Sequence, residues 1–129
     1  MNDFDITYIE NKFVTEIRAL GVSQYIWTNR PKATDDGIND FVVVKVSGGV
    51  TDRAGYGECR VAVHLFVRDV VEMKNSKRLS VMQQKLYGLP LWMDRLLLKG
   101  TPRIVGDTPD DFGFHARIIN FRVFIKATT

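Results

Sequence analysis

The side chains with most capacity for chemistry are two histidines, His64 and His115, one cysteine, Cys59, and an acidic group at Asp107, Asp110 and Asp111. A hydrolase site needs a nucleophile, a base and a group that orients the base. His64 or His115 with one of those aspartates fills two of the three roles, and nothing in the spacing supplies the third. The acids also sit among Gly106, Thr108, Pro109 and Gly113, where aspartate serves turn geometry for backbone reasons alone. A metal site fares no better. Cys59 and His64 lie five apart in a run that alternates like a strand, so they point to opposite faces, and His115 is a further isolated ligand type. Cys59 reads as a small buried hydrophobe. The stretch Gly48 to Gly57 holds four glycines, but a phosphate cradle needs a helix amino-terminus after it and a Gly-Lys-Ser/Thr ending. Here a strand pattern follows, so the stretch reads as a hairpin connection. The expectation is a non-enzymatic chain with no metal and no cofactor.

These residues must be positioned by a sequence of recognisable elements. From Asp5 to Leu20, Ile6, Ile9, Phe13, Ile17 and Leu20 recur at steps of three and four, with Asp5 or Thr7 as a start signal and Gly21 as a stop. That spacing predicts an amphipathic helix. Gln24 to Trp27 is a short extended candidate, and the polar stretch Asn29 to Asn39 reads as a loop. Phe41 to Val46 is β-branched and strand-like. Glu58 to Arg68 alternates Cys59, Val61, Val63, Leu65 and Val67 with Arg60, Ala62, His64, Phe66 and Arg68, which predicts a long strand. Asn75 or Ser76 can cap a second helix with the core face Leu79, Met82, Leu86 and Leu89. Gly88-Leu89-Pro90 should break it, before Trp92, Met93, Leu96 and Leu97 resume helical spacing up to Gly100. Arg103 to Val105 and Phe114 to Lys126 complete the set as strands joined by a turn-rich linker. The predicted class is α+β, an antiparallel or mixed sheet of four to five strands with two main helices, in the order α-β-β-β-α-β-β.

Composition agrees with one folded domain. The 129 residues are 45% hydrophobic and 26% charged, which excludes disordered and collagen-like classes. No stretch approaches the run of about 20 apolar residues that a membrane helix needs. The start is acidic where a secretory signal is basic and then apolar, so synthesis in a reducing cytoplasm is expected. A net charge of +3 is mild, and its distribution says more. Cations gather at Lys74, Lys77, Arg78 and Lys85 and at Arg95, Lys99 and Arg103. Acids gather at Asp35, Asp36 and Asp40 and again at Asp107, Asp110 and Asp111. Such groups are ordinarily solvated faces; the sharper reading is charge complementarity between identical copies.

The predicted sheet is apolar on both sides. In the last strand Ile119, Phe121, Val123 and Ile125 share one face, and Phe114, Ala116, Ile118 and Phe124 the other, while Phe66 and Ala62 lie opposite the apolar run of their own strand. Two arrangements remain open: one helix on each face, or both on one face with the other left for another subunit. Arg60, His64, Arg68, Asn120, Arg122 and Lys126 dilute the second face, which suits a subunit interface with polar contacts. On this view Phe41, Val43, Phe66, Phe114 and Phe124 are the candidate interface residues.

The layout from the helix at Asp5 to Leu20, through Phe41-Val42-Val43-Val44, the Gly48 to Gly57 arm, the strand Arg60 to Val67 and the helix near Leu79 to Leu89, to the final hairpin ending at Ile119 to Lys126, resembles that of small phage and prophage tail-assembly proteins. These are the tail-terminator and tail-completion (head-tail joining) type. The resemblance implies a mixed α/β subunit that assembles into a homo-oligomeric ring, commonly a hexamer, capping the tail tube and joining it to the head connector. It implies assembly in the bacterial cytoplasm, residence in the virion, no membrane, and no catalytic residues. DNA must pass the lumen of such a ring, and Arg53, Lys74, Lys77 and Arg78 are the candidate lumen-facing or DNA-facing charges. The alternative is a small nucleic-acid-binding α+β module using its basic helix and the sheet aromatics Phe66, Phe114 or Phe124, although no RNP-type string is present.

Overall fold

The computed structural model describes residues 5–29, 37–71, 73–109 and 112–126. In chain order the elements are α1 (Ile6–Ala19), β1 (Ile26–Trp27), β2 (Asp40–Arg53), β3 (Tyr56–Arg68), α2 (Ser76–Leu86), β4 (Trp92–Met93), β5 (Leu96–Pro109) and β6 (Phe114–Lys126). They form an α+β domain with a six-stranded sheet in the order β1-β2-β3-β6-β5-β4. β1 runs parallel to β2, and every other pair is antiparallel.

The helix ends follow local chemistry. The Asp5 carboxylate accepts a hydrogen bond from the Thr7 N–H at 2.9 Å, satisfying a first-turn donor that the helix itself leaves unpaired. Gly21, at φ +69°, follows the last turn in the left-handed conformation that glycine adopts without strain. Asn75 caps α2 by accepting from Arg78 N–H at 3.1 Å. Ile9, Phe13 and Ile17 of α1 and Leu79, Met82 and Leu86 of α2 are all fully buried. They share one cluster with Val42 and Val44 of β2, Val61, Val63 and Leu65 of β3, and Ile119, Phe121 and Val123 of β6. Both helices therefore roof the same face of the sheet. Phe13 meets Phe121 edge-on with ring centroids 5.8 Å apart, locking α1 to the central strands.

Three expectations need correction. The sheet has six strands rather than four to five. The residues from Trp92 to Gly100 are not the second half of a broken helix; they form β4 and the start of β5. The spacing of Trp92, Met93, Leu96 and Leu97 fits helical and hairpin patterns alike. The hairpin prevails because Met93, Leu96 and Leu98 then bury on the helix side, with Leu96 opposite Ile125 and Leu98 opposite Val123. Asp94 supplies the turn at φ +58°, a conformation that aspartate tolerates, and its carboxylate accepts from the Tyr8 hydroxyl of α1 at 2.5 Å. Finally, Gly48 to Gly57 is not a ten-residue connection. β2 and β3 stay paired out to Arg53 and Tyr56, with a register shift between Ser47 and Thr51, and only Ala54 and Gly55 make the turn. Their φ angles of +31° and +107° place both in the left-handed half of the map that tight hairpin turns require. The arm is thus a laddered hairpin.

Of the loop read at Asn29 to Asn39, residues 30–36, including Asp35 and Asp36, lie outside the described residues, as do Asp110 and Asp111.

Candidate functional site

Cys59 and His64 are held on opposite faces of β3, and His115 and Asp107 each take a partner of their own. Cys59 is buried on the helix face, where burial first and the nearby Glu58 second push its thiol up to about 11. His64 lies on the opposite face of β3, half-buried, with its pKa lowered by burial and by the charge of Lys45. His115 Nδ1 is 2.6 Å from an Asp69 carboxylate oxygen. Asp107 accepts from Arg117 at 3.0 Å and from Lys74 at 3.3 Å. Burial alone would raise the Asp107 carboxyl, but these cationic donors outweigh it and hold it below its usual range. Among the described residues no group of three or more His, Cys, Asp or Glu side chains is placed to hold a metal ion.

The candidate DNA-facing charges do not converge. Arg78 is a bracket inside the fold, bonded to Asp40 at 3.1 Å and to the Val22 carbonyl at 3.2 Å. Lys74 is committed to Asp107, and Arg53 to Glu58 at 3.3 Å. Arg53 stands at the far end of β2 from Asp40, roughly 40 Å along the strand, so it cannot act beside Arg78. Lys77 alone is exposed with no ion pair among the described residues.

The candidate interface residues also separate. Phe41, Val43, Phe66 and Phe114 close on one another and on Ala116, with Trp27 and Ile38 packed over them. Phe41 stacks on Phe66 with centroids 4.5 Å apart and planes 8° from parallel, and Phe114 meets it edge-on at 5.3 Å. Arg68 covers the Phe114 ring from 4.6 Å. These four residues form a second, smaller core within the chain, so they expose almost no surface for a partner. Phe124 differs. It is half-buried and lines an apolar cleft of about 360 Å³ with Tyr56, Trp92 and Leu97, rimmed by Lys126. Lys126 sits over the Trp92 ring at 4.9 Å and Arg122 over the Phe124 ring at 5.3 Å.

Between the closed aromatic cluster and this cleft, strand register aligns charges that residue spacing alone cannot align. One cross-strand row runs Ser47, Arg60, Arg122, Lys99 across β2, β3, β6 and β5; the next runs Lys45, Ala62, Asn120, Arg103. Lys45, Arg60, Lys99, Arg103 and Arg122 are all exposed. Glu58, one row further along, is the acid that answers them: it accepts from Arg122 at 2.6 Å, which holds its carboxyl below the usual range. β5 leaves the ladder between Lys99 and Arg103, so Gly100, Thr101 and Pro102 bow away from β6, and the bow opens a groove of about 330 Å³. Arg60, Lys99, Arg103 and Arg122 all line it.

The sheet edges are only partly covered. β1 pairs with β2 at Val42 and Val43 alone, and the Val46 N–H donates to the Glu10 carboxylate at 3.0 Å, capping the edge there. β4 pairs with β5 at Leu96 and Leu97 alone, leaving the outer side of β5 from Lys99 to Pro109 without a partner strand among the described residues. Ile104 and Val105 are each 49% exposed on that stretch.

The chain matches no protein-family model, and no curated protein sequence is significantly similar to it.

Proposed function

We propose that the chain is a non-enzymatic assembly subunit that packs against copies of itself in a ring, in the manner of the phage tail-terminator and tail-completion proteins whose layout it resembles. The observation that carries this reading is the asymmetry of the sheet. One face is roofed by both helices, whereas the other is closed only at its aromatic end and presents the Tyr56, Trp92, Leu97, Phe124 cleft beyond it. Apolar surface of this kind, rimmed by Lys126, is the usual mark of a protein contact. The exposed outer side of β5, with Ile104 and Val105, offers a second contact on a different side of the molecule. Two unlike contacts make a head-to-tail interface, and head-to-tail contacts close into rings when the rotation between subunits allows.

The mechanism is geometric. A ring that matches the last layer of a tail tube on one surface and cannot accept a further layer on the other stops growth, and that second surface is then free for the head connector. Assembly would take place in the bacterial cytoplasm, and the ring would remain in the virion.

Light scattering across a range of protein concentrations tests the reading. The expected result is a closed oligomer, about six times the 14.7 kDa chain mass for a hexamer, with Trp92→Ala shifting it toward monomer while the fold is retained. A monomer at every concentration, alone and with tail-tube subunits added, refutes it.

A further inference from the structure

We infer that the open, cationic part of the sheet binds the phosphate backbone of duplex DNA, with Arg60, Lys99, Arg103 and Lys45 as contact residues. This goes beyond the ring reading and stands on a separate observation, the cross-strand rows. Arg60, Arg122 and Lys99 are direct neighbours in one row, and like charges placed opposite one another in a ladder repel. Of the cations in these rows only Arg122 pairs with Glu58, which it shares with Arg53; Arg60, Lys99, Arg103 and Lys45 have no ion pair among the described residues. A row that costs stability in the free chain is stabilised when an external anion occupies it.

The shape of the surface selects the anion. The cations span β2, β3, β6 and β5, which at about 4.8 Å per strand makes a stripe of about 14 Å. A duplex presents about four base pairs, or eight phosphate charges, over that length. Single strands are held by bases stacking on exposed aromatic rings. Within the stripe the aromatics are unsuited to that: Phe66 and Phe41 are buried against each other and Phe124 lies under Arg122, while the exposed Tyr56 and Trp92 stand outside it in the apolar cleft, Trp92 beneath Lys126. The stripe thus offers charge without stacking platforms, which favours a backbone over bases. The bow of β5 adds Gly100 and Thr101 to the groove lining, residues whose backbone N–H and hydroxyl groups are the kind that donate to phosphate oxygens.

The test is fluorescence anisotropy of the full chain with a labelled duplex of about 30 base pairs, titrated between 50 and 200 mM salt. Wild type should bind the duplex, with affinity falling steeply as salt rises. Lys99→Glu with Arg103→Glu should reduce affinity at least tenfold at 50 mM salt. The milder Lys99→Gln and Arg103→Gln should each lower the slope of log affinity against log salt by about 0.9. Arg18→Gln, at an exposed cation in the last turn of α1 on the helix side of the sheet, should leave both values unchanged. No duplex binding by wild type at 50 mM salt overturns the inference. So does tighter binding to a single strand of equal length, equal binding to polyglutamate, or retention of wild-type affinity in the double variant. Light scattering on the same samples keeps the two readings distinct: loss of DNA binding at unchanged mass supports the inference alone, and retained binding at altered mass counts against it whatever becomes of the ring.

Discussion

Replacing Phe41 by alanine separates two roles that a second-face aromatic can have, inner core or subunit contact. Its side chain is fully buried within the single chain, between Phe66 at 4.5 Å and Trp27 and Phe114 at 5.3 Å. A buried phenylalanine removes on the order of 200 Å² from water, about 5 kcal/mol as an upper estimate at 25 cal/mol per Å². Phenylalanine-to-alanine changes in cores cost about 3–5 kcal/mol, cavity included. The expected loss is therefore about 4 kcal/mol, a large fraction of the roughly 5–15 kcal/mol that holds a domain folded. With a urea dependence of about 2 kcal/mol per M, the midpoint should fall by about 2 M. The assay is urea unfolding followed by circular dichroism over a hundredfold dilution series. An intrachain core gives a loss independent of concentration. A loss under about 1 kcal/mol, or one present only at concentrations where the subunits associate, would refute the assignment of Phe41 to a closed internal cluster.

Two further outcomes follow from the titrating groups on β3. His64 has a folded pKa below its ordinary value near 6.5, through burial and then Lys45, so the unfolded chain takes up its proton more readily than the folded one. Its contribution to stability is fully present above about pH 6.5 and is lost as pH falls through the lower folded value; His64→Gln should flatten the fall in urea midpoint between pH 7 and pH 5, and an unchanged slope would count against it. Cys59, 4% exposed and with its thiol pushed up to about 11 from 9.0, should carry roughly a hundredfold less thiolate at pH 8 than in the unfolded chain. Labelling by a disulfide reagent should be slow in buffer and rapid in 6 M guanidinium, and equal rates would show the site to be open.

The parts of the fold legible in the sequence are those where one periodicity has one meaning. Of the stripe Ile6, Ile9, Phe13, Ile17 and Leu20, set between a capping Asp5 and a terminating Gly21, the structure buries Ile9, Phe13 and Ile17, half-buries Leu20 and leaves Ile6 in the first turn exposed. The alternation from Cys59 to Arg68 likewise assigns Cys59 and His64 to opposite faces. From Trp92 to Leu98 the spacing is compatible with two structures, and the choice depends on Ile125 and Val123, which lie far away in sequence. The cluster around Phe41 was partly legible: its residues share a face, but Trp27 and Ile38, which close it, come from segments without a strong pattern. Arg60 and Arg122 were visible as polar residues on the second face, whereas Lys99 and Arg103 join them only once β5 is registered against β6.

The order of the sheet also governs how the chain reaches this state. β2 with β3, and β5 with β6, are each hairpins between consecutive segments, the first turning at Ala54 and Gly55, so their ladders form from near neighbours. The β3–β6 ladder is different: it sets Arg68 opposite Phe114 and Tyr56 opposite Lys126, with α2 and two strands intervening in the chain. Loop-closure entropy thus falls on this one seam, and pairings of such long sequence separation slow folding. Because α1 packs toward β2 and α2 toward β3, both helices can dock on the first hairpin before the second arrives. An incomplete chain would carry β3 as an open edge along its full length, and that unpaired edge is where aggregation would begin.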